Sequence, residues 1–220
     1  MAASRRYGAR GRYFTLHFIA FLCLSTQGFA LFAWVTSFFV RVHDFSRAEI
    51  GIIYGAMALT VGVTGSMAGG VVAGAMMRRG GHDATLRLVM WSAIGICPIA
   101  IAATLVPSPW VAIGLLVPIT FFMAMPPGLG SASLQIIAPN ELRGQVMAFY
   151  LITVNFLSYL FAPLIVALLT EDLFGRPEAI GLSLSTMAAV FYPVAAICLA
   201  FGLPQYRSAV RKAEEWNGTS

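Results

Sequence analysis

Residues 86–106 read LRLVMWSAIGICPIAIAATLV, and Arg87 is their only charge. About 20 mostly apolar residues suffice for one helix to cross a hydrocarbon core of roughly 30 Å, so this run predicts a membrane-spanning helix. Five runs of the same kind surround it: Phe14–Val40, Ile50–Met77, Trp110–Ala138, Val146–Leu169 and Ile180–Leu203. Barrel strands would instead alternate apolar and polar residues over segments of about ten. The predicted fold class is all-α, a polytopic membrane protein with six transmembrane helices. Composition agrees, since hydrophobic residues make up 59% and charged residues 10%. A soluble globular chain carries about 25% charged residues, and a disordered one needs high charge with low hydrophobicity. Both classes are excluded.

Several runs exceed one straight crossing, which tilt or extension beyond the lipid would absorb. The first is too long and starts too late for a secretory signal. Six crossings put both termini on one side, and the basic residues choose the side. Arg5, Arg6, Arg10, Arg12, Arg78, Arg79, Arg87, Arg143, Arg207, Arg211 and Lys212 all fall in segments sharing that side, leaving only Arg41, Arg47 and Arg176 opposite. Positive charge is retained in the cytoplasm, which predicts both termini inside and a multi-pass protein of the plasma (inner) membrane. The expected organisation is a cytoplasmic segment at 1–13, a transmembrane bundle at 14–204 and a cytoplasmic tail at 205–220.

The net charge of +5 therefore reads as topology, and no nucleic-acid partner is implied. Cys23, Cys97 and Cys198 lie in apolar runs without metal-ligand spacing, so neither a metal site nor a disulfide is expected. No Asp or Glu falls in the middle of a span, so none marks an ion or proton path there. The three histidines, His17, His43 and His82, sit at or near span ends, away from the midplane serines. A nucleophile paired with a histidine base is thus absent, and no enzyme or cofactor is predicted. Asn217-Gly218-Thr219 fits a glycosylation sequon by chance, on the predicted cytoplasmic side.

Three features bear on function. In span two, Gly51, Gly55, Ala58, Gly62, Gly65 and Gly69 recur every three or four residues and share one helix face. Gly65–Gly69 and Gly70–Gly74 each satisfy GxxxG, which predicts a close helix pair, either statically packed or able to slide. In span four, Pro126-Pro127-Gly128 precedes Gly130-Ser131-Ala132-Ser133. Proline removes a backbone hydrogen bond, so a break is predicted, either a fixed kink or a hinge lining a cavity. Third, Gln27 and Asn155 lie about twelve residues inside their spans, near midplane at 1.5 Å per residue, with Thr60 and Thr64 at similar depth. Interhelical hydrogen bonds would explain them; a polar patch in a substrate cavity is the functional alternative, with Ser131 and Tyr159 as further members.

The stretch Leu134–Ala148, LQIIAPNELRGQVMA, with its skeleton Pro139-x-x-x-Arg143-Gly144, resembles the loop entering the eleventh helix of major facilitator superfamily transporters. Asn155, Ala162-Pro163 and the segment Leu168–Gly175 continue the likeness, and within the superfamily the chain resembles the spinster-like transporters. Gly69–Gly80, with Arg78 and Arg79, resembles the superfamily's cytoplasmic signature loop. Gly74 and Ala75 stand where that family has an acidic and then a basic residue. The resemblance runs from about Ser46 to Pro204 and implies the carboxy-terminal six-helix half of a twelve-helix fold. It implies secondary transport of a small organic solute, amphiphilic or anionic, by alternating access about a midplane site. It also implies that spans one, two, four and five line the cavity while three and six face lipid. The partners expected are lipid and substrate, with a second six-helix half or a second copy completing the unit. A non-transporting membrane subunit or truncated remnant, acting as a partner or scaffold, is the alternative.

Overall fold

The computed structural model describes residues 2–81, 83–137 and 142–217, with side chains over 12–81, 83–137 and 142–210. Every described crossing is helical. Span one is α1 (Ala2–His43). Span two runs from α2 (Arg47–Met57) through a π-helical turn at Ala58–Gly62 into α3 (Val63–Arg78). Span three is α4 (Ala84–Leu105). Span four is divided into α5 (Pro109–Met123) and α6 (Pro126–Ile137). Span five is α7 (Arg143–Leu168), closed by a π-helical turn at Leu169–Leu173, and span six is α8 (Ile180–Asn217). All six are long and apolar enough to cross a bilayer. Each apolar run of the sequence thus becomes one crossing, and α1 and α8 extend past the runs that predict them.

Local chemistry sets the ends. Ser46 caps α2 by accepting the Glu49 amide at 3.2 Å, while the Glu49 carboxylate accepts the Ser46 amide at 3.0 Å. This reciprocal box fixes the turn between spans one and two. After α3, Gly80 takes the left-handed conformation at φ 85°. Its amide reaches Met77 O and the Gly81 amide reaches Met76 O, the six-to-one and five-to-two pair that ends a helix. At the Pro126-Pro127 pair the Met125 amide donates to Phe122 O, a tighter turn than the helical ladder, and span four breaks as predicted.

The core lies around α8, which packs along both α1 and α4, the two most extensive pairings in the fold. Small residues permit this: Ala93, Ala100, Ala103, Ala188 and Ala195 are all buried. Hydroxyl pairs tie neighbouring helices together. Thr26 donates to Ser158 at 3.2 Å, Thr104 meets Ser185 at 2.8 Å and Thr170 meets Ser183 at 2.7 Å. The expectation that spans three and six mainly face lipid is therefore corrected. Both keep an exposed apolar stripe, with Trp91, Ile94, Ile197 and Phe201, but the opposite face of each is core. Buried residues make up 44% of the most apolar stretch in spans one and six, against 22% in spans two and five. Near-uniform apolarity along α4 gave no periodic signal of which face packs.

The glycine face of span two divides. A Cβ on Gly65 would collide with the Phe121 carbonyl, and one on Gly69 would come within 2.9 Å of the Met125 side chain. The predicted close pair is thus α3 against the broken span four. Gly51, Gly55 and Gly70 have nothing within 4 Å of such a Cβ, and Gly74 would meet only Arg78 of its own helix. For Gly70–Gly74 the packing expectation is not met: the pair is turned away from this neighbour.

Candidate functional site

A cavity of about 370 Å³ opens beside the break in span four. Span one contributes Leu24, Ser25, Gly28, Phe29 and Phe32 to it, and span two contributes Tyr54. Phe122, Met123, Pro126 and Pro127 flank the break, and α7 adds Tyr150, Leu151, Val154 and Asn155. Two contributions were not anticipated. Span three supplies Ser92, Ala93 and Ile96, and span six supplies Tyr192. The lining-span expectation is corrected accordingly: spans three and six line the cavity together with spans one, two, four and five. A lone serine and a tyrosine inside apolar runs gave little signal of this role.

Among the described residues the lining is mostly apolar and aromatic. Its polar groups are hydroxyls and one amide, with no Lys, Arg, His, Asp or Glu. Asn155 donates its amide to Leu151 O at 2.8 Å within its own helix, so its side-chain oxygen is what it can present as an acceptor. Ser92 donates to Val89 O at 2.8 Å. Tyr150 stands at the junction of three elements: a Cβ on Gly130 of α6 would lie 2.7 Å from its hydroxyl and 2.4–2.7 Å from the Phe21 ring of α1. Such an arrangement can hold an apolar or aromatic solute and fix its orientation through a few neutral hydrogen bonds.

The sequence-derived site residues separate on this geometry. Asn155 lines the cavity. Tyr159 stands at its edge, largely exposed, with its ring edge-on to Phe29 at 5.8 Å. Gln27 is buried on a different side of α1, against a small void between α1, α4, α5 and α8. Thr64 is exposed and donates back to Thr60 O and Val61 O, while Ser131 donates to Gly128 O, and neither reaches the cavity. Position along a span can be counted from the sequence, but rotation about the helix axis cannot. Arg78, Arg79, Arg143 and Gly144 are exposed at helix ends, and Pro139 lies outside the described residues. No cluster of three or more His, Cys, Asp or Glu that could hold a metal occurs among the described residues. All three cysteines are free.

The sequence reading missed one ionic contact at the end of the bundle that carries Arg78 and Arg79. Asp83, almost fully buried at the start of α4, accepts from Arg207 of α8, with Nε at 2.7 Å and Nη2 at 2.6 Å. Arg87 lies 3.9 Å from its other oxygen. Beside this pair, Tyr13 stacks on Tyr206 with ring centroids 5.4 Å apart, pinning α1 to α8. One signal existed in the sequence, a single acid in a loop otherwise rich in arginine, but its partner is 124 residues away.

The sequence model of the Major Facilitator Superfamily matches residues 4–163. No curated protein sequence matches the chain. Among solved structures, the fold is similar to a bacterial homolog of the human lysosomal transporter Spinster in an inward-facing, unoccupied conformation. The TM-score is 0.66 at 19% identity, over 97% of this chain and 50% of that one. The same homolog in an inward-facing, occupied conformation matches with TM-score 0.66 at 18% identity, over 91% and 49%. The chain thus spans about half the length of the solved proteins it matches.

Proposed function

Because this chain belongs to the major facilitator superfamily, we propose that it is the carboxy-terminal six-helix half of a secondary transporter. It moves a small organic solute, amphiphilic or anionic, by alternating access. The observation that carries this reading is the cavity at the break in span four, where Asn155 offers the one amide in an otherwise apolar and hydroxyl-bearing wall. An uncharged lining suits the apolar part of such a solute, and any anionic group would be met by the complementary half. A carboxylate that couples transport to protons would belong to that half too, because such groups must reach midplane to exchange with both sides.

In this reading both termini are cytoplasmic, in the plasma membrane. Segments 1–13 and 205–220 flank the bundle 14–204, and a second six-helix unit completes the path. Pro126 and Pro127 act as the hinge and Gly65–Gly69 as the seam against which it moves. Arg78, Arg79 and the Pro139, Arg143 and Gly144 loop lie on the cytoplasmic face.

Uptake of a radiolabelled lysolipid and a radiolabelled organic acid into vesicles containing the complete assembly tests the function. Gly28→Leu, which projects into the cavity, and Asn155→Ala should each lower the apparent affinity for the solute that is moved. Unchanged uptake in both variants would remove the cavity from the account. For the topology, single cysteines at Arg79 and Ser208 should react only from the cytoplasm and one at Arg176 only from outside. Labelling of the Arg79 position in intact cells by an impermeant reagent contradicts the arrangement.

A further inference from the structure

The buried amide of Gln27 faces a void that the main cavity does not include. The residue is 4% exposed, and its Oε1 has no hydrogen-bond partner in the structure. An acceptor left bare in an apolar interior is costly, because nothing replaces the water it gave up. The void beside it measures about 20 Å³, and its walls are chiefly apolar, among them Leu31, Val35, Leu116 and Leu184. A space of about 10–15 Å³ on this measure already holds one water-sized group. Two hydroxyl side chains also border the void, Tyr192 and Thr104. Thr104 is committed, meeting Ser185 at 2.8 Å and donating to its own backbone at 3.1–3.2 Å. Tyr192 alone borders both this void and the main cavity. The next residue, Pro193, removes a backbone bond from the turn of α8 that carries Tyr192.

We infer that the void behind Tyr192 is a subsite for one hydrogen-bond donor, an O–H or N–H group, held by Gln27 Oε1. The main cavity reaches it by displacement of the Tyr192 ring. Two sources supply the same chemistry: a resident water, or the terminal hydroxyl or amine N–H of a solute whose apolar body occupies the main cavity. The subsite discriminates by neutral hydrogen bonding and excludes groups larger than about one heavy atom. The solute source rests on the reading of the main cavity as a solute site, whereas the water source does not.

The test uses the full chain with 4-phenyl-1-butanol and its methyl ether, which differ only in the donor. Wild-type protein should bind the alcohol about tenfold more tightly than the ether, the worth of one neutral hydrogen bond. Gln27→Leu should abolish that preference, and Asn155→Ala should weaken both probes together. An experimental map of the ligand-free protein is read alongside for an ordered water within hydrogen-bond distance of Oε1. Such a water, with no alcohol preference in wild type, makes the donor a resident water and keeps the subsite. Neither a preference nor a water overturns it. If neither probe binds, the main-cavity reading fails and the map alone decides the subsite.

Discussion

Span two carries the same small-residue signal twice, and the fold uses the two copies differently. At Gly65 the backbone of the broken span four lies so close that no side chain fits, and at Gly69 the Met125 side chain crowds the same face, whereas Gly70 and Gly74 of the adjacent stripe meet nothing from another helix. The spacing of glycines shows where a helix permits close approach; it does not show that a partner is present. The contrast recurs at the scale of whole spans. Spans one and six, joined by the Tyr13–Tyr206 stack, bury 44% of the residues in their most apolar stretch, against 22% in spans two and five. On the proposed reading, the less buried faces of spans two and five are the ones offered to a second unit.

The contrast within span two can be broken most forcefully at Gly65. A side chain there meets a backbone carbonyl, which cannot rotate aside, so Gly65→Leu should cost about 3 kcal/mol or prevent folding. Thermal unfolding in detergent measures it. Gly70→Leu, read in the same assay, should stay within about 0.5 kcal/mol of wild type. Equal losses at the two positions would mean that the open stripe is packed after all.

The ionic contact comes next in size. Asp83→Ala removes a buried acceptor from Arg207, whose side chain is about half exposed and can turn to water. The expected loss is therefore about 1–2 kcal/mol rather than the 3–5 kcal/mol of a fully buried pair. Arg207→Ala should be at least as damaging, because it strands the carboxylate, and a milder effect there would show that Asp83 is rehydrated. Smaller again is the Thr26–Ser158 bond between α1 and α7. Ser158→Ala should cost about 0.6 kcal/mol, the usual worth of an interhelical bond in a membrane protein. A loss beyond about 2 kcal/mol would show that the pair belongs to a larger network.

How much of this was legible in the sequence follows from what each signal encodes. Long apolar runs fix the number of the crossings, because hydrocarbon thickness sets a minimum length for all of them, but not their ends, which α1 and α8 overrun. Pro126-Pro127 located the break, since a missing amide acts on its own helix wherever that helix packs. A residue count puts Gln27 and Asn155 at similar positions along their spans, yet only Asn155 reaches the main cavity. Depth needs only a residue count, whereas the direction a side chain points depends on which neighbour lies beside that face. For the same reason Tyr192 and Ser92 passed unnoticed in apolar runs, and the Asp83–Arg207 pair was hidden by its separation along the chain.

On the proposed function, this chain is one half of a transport unit. Native mass spectrometry of the assembly released from vesicles that take up solute tests it most directly. The predicted result is two six-helix units in every transport-competent particle, either two copies of this chain or this chain with a second one. Solute uptake by particles holding a single copy and no other six-helix chain, at rates that match those of the larger assembly, would contradict it.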